Sequence, residues 1–95
     1  MQFADFLKTI EEGNIPPSSL SICLTALWFD AKGNWDKAHG IIDGTEEKNA
    51  YWVHAYLHRK EGDIWNADYW YSRAGKKRPG LSLTEEWEMI TKALL

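Results

Sequence analysis

NAYWVHAYLHRKEGDIWNADYWYSRAGKKRP, the stretch from Asn49 to Pro79, contains two helical patterns that meet at a single glycine. In both halves apolar residues recur at spacings of three and four, the period of an amphipathic helix. They are Ala50, Val53 and Leu57 in the first half and Ile64, Ala67, Tyr71 and Ala74 in the second. Gly62 can adopt the left-handed conformation that ends a helix, and Asp63 can accept the free N–H groups that begin the next. The stretch therefore predicts a tight helical hairpin.

This hairpin resembles the tetratricopeptide repeat, a helix–turn–helix unit of about 34 residues. The small, aromatic, turn and helix-stopping positions of about one repeat are occupied by Ala50, Tyr51, Ala55, Gly62, Asp63, Ala67, Tyr71, Ala74 and Pro79. The run from Ala67 to Ala74 also resembles the second helix of the related Sel1-like repeat. His54 and His58 depart from the pattern, because a leucine and a tyrosine are usual there. The resemblance implies a role in protein interaction without catalysis.

A weaker copy of the same unit precedes this hairpin. Gly33 precedes Gly62, and Ala38 precedes Ala67, by the same offset of 29 residues (62 − 33 and 67 − 38). Repeat units are expected at about residues 18–44 and 46–75. Helix starts are predicted at Ser18 or Ser19, at Asn34, and at Thr45 with Glu46 and Glu47.

One helix is predicted on each side of the two hairpins. Phe3, Phe6, Leu7 and Ile10 indicate a first helix over about 2–12, ended by Gly13-Asn14 and two prolines. Ser82 and Glu85 form a capping box that starts a last helix at about 83–94. Its inner stripe is predicted as Leu83, Trp87, Ile90 and Leu94, with Glu85, Glu86, Glu88 and Lys92 facing water. The prediction is one all-α domain of about six helices, closed by a C-terminal cap.

Composition limits the classes of function. The 95 residues, 44% of them hydrophobic, suit one compact domain, and a net charge of −3 gives no overall attraction to nucleic acid or to an anionic membrane. Cys23 is the only cysteine, which excludes an intrachain disulfide and favours a reducing compartment. The N-terminus lacks the pattern of a signal peptide, so a cytoplasmic location is expected. The six tryptophans either fill a thin core or mark an interaction surface.

Three histidines are candidates for a metal or ligand site. His54 and His58 lie four apart on one predicted helix, so their rings share a face, and His39 from the preceding hairpin could join them. Glu61 or Asp68 would have to supply a fourth ligand. The preferred interpretation is structural: the histidines fill inward positions and hydrogen-bond to tyrosines, carboxylates or the backbone. No cofactor is expected.

Two further groups suggest binding. Arg73, Lys76, Lys77 and Arg78 form a basic cluster beside Tyr69 and Trp70, which either contacts nucleic acid or, as we prefer, complements a helix C-terminus. By resemblance to tetratricopeptide proteins, a peptide groove would be lined by Asn49, Trp52, Tyr56, Arg59 and Lys60, with Leu20, Cys23 and Leu27 in the earlier copy. Such a groove suits an acidic or C-terminal carboxylate peptide. The alternatives are that these residues close the core or a homodimer contact.

No nucleotide-binding loop, nucleophile turn or zinc-finger cysteine pair occurs in the sequence. The sequence therefore predicts a small non-catalytic module that binds an unknown protein or peptide. The alternative is a small enzyme or a metal- or ligand-binding protein centred on His54 and His58. A role with nucleic acid ranks third, and no membrane association is expected.

Overall fold

The structure is a computed structural model that describes all residues 1–95 as six helices without strands. The helices are α1 (Phe3–Glu12), α2 (Ile22–Ala31), α3 (Trp35–Ile42), α4 (Lys48–Glu61), α5 (Ile64–Arg73) and α6 (Leu83–Leu94). The predicted all-α architecture of about six helices is confirmed. None of the six is both long enough and apolar enough to cross a membrane.

The α2–α3 and α4–α5 corners share one backbone conformation. Gly33 and Gly62 have φ angles of 82° and 89°, in the left-handed region that favours glycine. In each corner the next N–H bonds to the carbonyl five residues earlier, with N···O distances of 2.9 and 3.0 Å. This Schellman motif satisfies carbonyls left free at the end of the helix. The side chains of Asn34 and Asp63 then cap α3 and α5 by accepting a first-turn N–H.

Two predicted helix starts are wrong by a few residues. Ser21, and neither Ser18 nor Ser19, caps α2, since its hydroxyl accepts the N–H of the residue three positions later. The chain after the two prolines first makes a turn, which delays the helix. Helix α4 begins at Lys48 instead of near Thr45, and no side chain caps it.

Helix α4 is the centre of the fold, because it contacts α2, α3, α5 and α6. Its residues 52 to 58 are all buried, so most of its circumference faces other helices. Two indoles tie the flanking helices to α2. The Nε1–H of Trp28 donates to Thr9 Oγ1 of α1 at 3.2 Å, and that of Trp87 in α6 donates to the Leu27 carbonyl at 3.0 Å.

One residue of α6 that was expected at the surface, Glu86, is buried. The helical pattern predicts that Glu86 faces water, but its exposed fraction is 0%. Helix α6 packs on both α2 and α4, and this broad contact buries more than one stripe of its residues. The carboxylate of Glu86 accepts hydrogen bonds from Arg59 Nη1 at 2.8 Å and from the Tyr71 hydroxyl at 2.5 Å. A buried ion pair therefore joins α6 to α4.

Candidate functional site

Three histidine side chains meet where α3 packs on α4. His39 Nε2 lies 3.1 Å from His54 Nε2, and the ring centroids of the three pairs are 4.8–5.1 Å apart. One ring nitrogen from each of His39, His54 and His58 lies within 4.8 Å of the others. The two α4 histidines are buried and His39 is half-buried. The structure thus brings together the three histidines singled out in the sequence.

Two tryptophans form walls of this histidine cluster. Trp35 stacks on His39 with a centroid separation of 4.9 Å and an interplanar angle of 7°. The Trp35 Nε1–H also donates to the Leu57 carbonyl of α4 at 2.7 Å, which fixes the indole across the α3–α4 contact. Trp70 of α5 stacks on His54 at 4.0 Å and 13°. The rings are therefore held by packing from both sides, which limits their rotation.

The hydrogen bonds of His58 indicate which of its ring nitrogens carries a proton. Its Nδ1 lies 2.5 Å from Glu61 Oε1, and its Nε2 lies 3.3 Å from Asn66 Nδ2. A carboxylate accepts only, and a side-chain NH₂ group donates. These partners correspond to a ring with the proton on Nδ1 and a lone pair on Nε2. Nε2 of His58 could therefore bind a cation only in place of its contact with Asn66 Nδ2.

The environment keeps His54 neutral. Burial lowers the pKa of His54 to about 4, and the neighbouring His58 and His39 contribute to this lowering while Asp43 opposes it. At neutral pH the ring therefore carries no charge. Its 3.1 Å contact with His39 then requires one Nε2 to donate and the other to accept. Neutral imidazole is also the form of histidine that binds metal ions.

The two carboxylates considered as a fourth ligand have other partners. Glu61 is hydrogen-bonded to Nδ1 of His58, on the outside of the cluster. Asp68 is exposed and pairs with Arg78 at 2.9 Å, and it belongs to neither group of potential metal ligands in the structure. A second group of potential ligands, His58 with Glu61 and Asp63, has its two carboxylates at the exposed surface.

The face of α4 expected to form a peptide groove holds contacts within the chain. The residues predicted to line it are Asn49, Trp52, Tyr56, Arg59 and Lys60. The Tyr56 hydroxyl and Lys60 Nζ donate to the two carboxylate oxygens of the buried Asp30, at 2.7 and 2.8 Å. Arg59 donates to Glu86 and to the Leu81 carbonyl. Trp52 is buried below Lys76, and Asn49 is exposed. Peptide binding along this face stays a prediction.

Cys23 lies in the equivalent place of the first hairpin. It is buried, and its Sγ lies 3.5 Å from Glu47 Oε1. The pKa of the thiol is raised to about 12, mainly by burial and secondly by this hydrogen bond. A neutral thiol is a poor nucleophile, so Cys23 has the character of a core residue.

The basic cluster makes several contacts within the chain. The guanidinium of Arg73 lies 4.4, 5.0 and 5.8 Å from the ring centroids of Tyr51, Trp70 and Tyr69. Arg78 pairs with Asp68, and Lys76 lies 4.0 Å from the ring centroid of Trp52. Lys77 makes no such contact. The four basic residues surround the C-terminal end of α5, where positive charge favours the helix dipole.

An exposed aromatic pair on α5 does not follow from the sequence prediction. Trp65 is 80% exposed and Tyr69 is 48% exposed, and their rings stack with centroids 6.4 Å apart. The sequence places Trp65 and Tyr69 four residues apart on the helix face opposite Ala67 and Tyr71, which are buried. This spacing could have indicated that both aromatic residues are exposed. Hereafter Trp65 and Tyr69 are called the aromatic face of α5.

The fold and these sites define a small all-α protein of two helical hairpins with a buried histidine cluster and an exposed aromatic face. No protein-family model, curated protein or solved structure matches the chain. The resemblance to tetratricopeptide repeats therefore stays a prediction that rests on the residues named above.

Proposed function

We propose that this chain is a non-catalytic interaction module that binds an acidic segment of a partner protein across the aromatic face of α5. The observation that carries the proposal is Trp65, which is 80% exposed and stacked on Tyr69. Tryptophan and tyrosine are enriched in protein interfaces and among the residues that dominate binding energy. Stacking also pre-orders both rings, which lowers the entropy lost on binding.

The charge beside the aromatic face determines the chemistry of the partner. Arg73 lies one helical turn after Tyr69, is exposed, and makes a single hydrogen bond, to the Tyr51 hydroxyl at 3.3 Å. A guanidinium has five N–H donors, so several remain for a carboxylate. Lys77 adds an exposed positive charge after the C-terminal end of α5. A segment with an apolar side chain beside an Asp, a Glu or a C-terminal carboxylate complements this surface.

The resemblance to tetratricopeptide repeats supports the same class of function, although the surface differs from the groove expected from that family. We further propose that the protein acts in the cytoplasm, because its single buried cysteine suits a reducing compartment.

The test compares three versions of the chain as bait in extracts of the native cell. They are the wild type, the double variant Trp65→Ala/Tyr69→Ala, and the control Ile15→Ala, which alters another side chain that is 80% exposed. A partner should be retained by the wild type and the control and lost by the double variant. With a synthetic acidic segment of that partner, calorimetry should show a loss of about 2 kcal/mol, roughly thirtyfold in Kd.

Alternative occupants of the aromatic face give different results. Equal capture by all three baits would refute the proposal. Self-association in sedimentation, abolished by the double variant, would assign the surface to a second copy of the chain. A change in tryptophan fluorescence with single-stranded RNA at low salt, lost at higher salt, would assign it to nucleic acid.

A further inference from the structure

We infer that His39, His54 and His58 form a binding site for a divalent transition-metal ion such as Zn²⁺ at the contact between α3 and α4. The inference concerns a different part of the molecule from the aromatic face. It therefore does not depend on the proposed interaction with a partner protein.

The distances between the ring nitrogens favour a shared ion. Zinc–nitrogen bonds of about 2.0–2.1 Å in tetrahedral geometry place two ligand nitrogens about 3.3 Å apart. Nε2 of His39 and Nε2 of His54 are already 3.1 Å apart, and the ring nitrogens of all three histidines lie within 4.8 Å. The third nitrogen must therefore approach by at most about 1.5 Å, and His58 Nε2 must exchange its contact with Asn66 Nδ2 for the ion.

The protonation of the cluster also suits a metal. His39 and His54 face each other through Nε2 at 3.1 Å, so one of the two Nε2 atoms carries the proton of this contact and the other accepts it. For an ion to bind both Nε2 atoms, that proton moves to Nδ1 of the same ring, so the donor ring remains a neutral imidazole with its Nε2 lone pair free. Three imidazoles are a donor set preferred by Zn²⁺, Cu²⁺ and Ni²⁺ over Mg²⁺ or Ca²⁺.

The groups around the histidines match the surroundings of a histidine–metal site. Histidine ligands usually donate their second N–H to a carboxylate or carbonyl, which fixes the tautomer and the ring orientation. Glu61 has this relation to His58, with 2.5 Å between its Oε1 and Nδ1. Trp35 and Trp70 restrain the other two rings by stacking. Because His39 is only half-buried, water can reach the edge of the cluster and supply a fourth ligand.

A purely structural role accounts for the three histidines less well than a shared ion does. Hydrogen bonds occupy both ring nitrogens of His58 and join His39 to His54, but they do not by themselves require three imidazoles in one place. Apolar side chains in these places would also add more to the core of so small a domain. The potential ligand atoms of His58, Glu61 and Asp63 also lie within 4.8 Å of one another. This second group is a weaker candidate for the ion, because its two carboxylates are exposed.

The test uses the full chain without a histidine tag, treated with a chelator and dialysed. Co²⁺ is titrated at neutral pH and followed by visible absorption, and Zn²⁺ is then titrated by calorimetry. One equivalent per chain with the strong visible bands of tetrahedral Co²⁺ is the expected result. In Glu61→Gln the affinity should fall by about 10–100-fold, the usual effect of losing an outer-shell partner.

Two variants separate the sites. His39→Gln should lose more affinity than Glu61→Gln, because it removes a ligand. Because His39 is only half-buried, the variant is expected to fold, and circular dichroism verifies that it does. Asp63→Asn should bind Co²⁺ as the wild type does. The inference would be overturned by the absence of stoichiometric binding, by equal binding in folded His39→Gln, or by loss of binding in Asp63→Asn.

Discussion

Replacing Glu86 by alanine is expected to destabilise the protein more than almost any other single change on α6. The side chain of Glu86 is fully buried, and that of its partner Arg59 is only 17% exposed. The variant leaves the guanidinium without its carboxylate and the Tyr71 hydroxyl without its acceptor. Breaking a buried ion pair from one side costs about 3–5 kcal/mol.

That cost is large for a domain of this size. The free energy of unfolding of a small domain is about 5–15 kcal/mol, so the variant loses about a fifth of it or more. At about 4–8 °C per kcal/mol, the Tm should fall by at least about 12 °C. Glu86→Gln keeps the shape and an acceptor oxygen but removes the charge, so it should lose about 1–3 kcal/mol.

Urea denaturation followed by tryptophan fluorescence measures these losses. A triple variant, Glu86→Leu/Arg59→Met/Tyr71→Phe, removes both charges and the hydroxyl that donates to Glu86, and should be closer to the wild type in stability than Glu86→Ala, since apolar groups often replace buried ion pairs without loss. A loss below about 1 kcal/mol in Glu86→Ala, with an unchanged m-value, would refute the reasoning. In that case the ion pair would not anchor α6 on α4.

Three further predictions concern the core, the corners and the surface. Burial, and secondly the charge of Asp30, raise the pKa of Tyr56 above its ordinary value of 10.0, so above that pH the folded chain keeps a proton that the unfolded chain releases. The free energy of unfolding should therefore fall as the pH rises through about 10. Urea midpoints measured across this pH range should show a smaller fall for Tyr56→Phe. Gly62→Ala should lower the free energy of unfolding by about 1–2 kcal/mol, because the φ angle of Gly62 is 89°. Gly40→Ala should raise it by about 0.5–1 kcal/mol, because Gly40 lies inside α3 with open space around its Cβ position. Thermal unfolding measures both changes. Trp65→Ala should change stability by less than about 0.5 kcal/mol, and the buried Trp87→Ala should cost about 3–5 kcal/mol in the same assay.

The hairpin corners were predictable from the sequence because their signals are local. A glycine that ends one helix and an Asn or Asp that caps the next need only neighbouring residues, and both corners have this structure. The capping box of Ser82 and Glu85 was predictable for the same reason. The start of α4 was not, because Glu47 offers α4 no side-chain cap and instead contacts Cys23 of α2.

Side-chain environments that depend on distant helices were harder to predict. His54 and His58 share a face through their spacing, but the position of His39 beside them depends on how α3 packs on α4. Glu86 looks like a surface residue in a helical pattern, and only the docking of α6 on α4 shows its buried partners. Exposure of Trp65 was not predicted because large aromatic residues at helical spacing are more often buried.

The contact between α3 and α4 brings the three histidines together, and the proposed metal site depends on it. Nuclear Overhauser spectroscopy of the ring protons in the metal-free chain measures that contact directly. We predict cross-peaks from His39 to both His54 and Trp35, and from His54 to Trp70, since these rings are stacked or in edge contact. Cross-peaks only within α3 and within α4, with none between His39 and His54, would contradict the proposed packing of the hairpins.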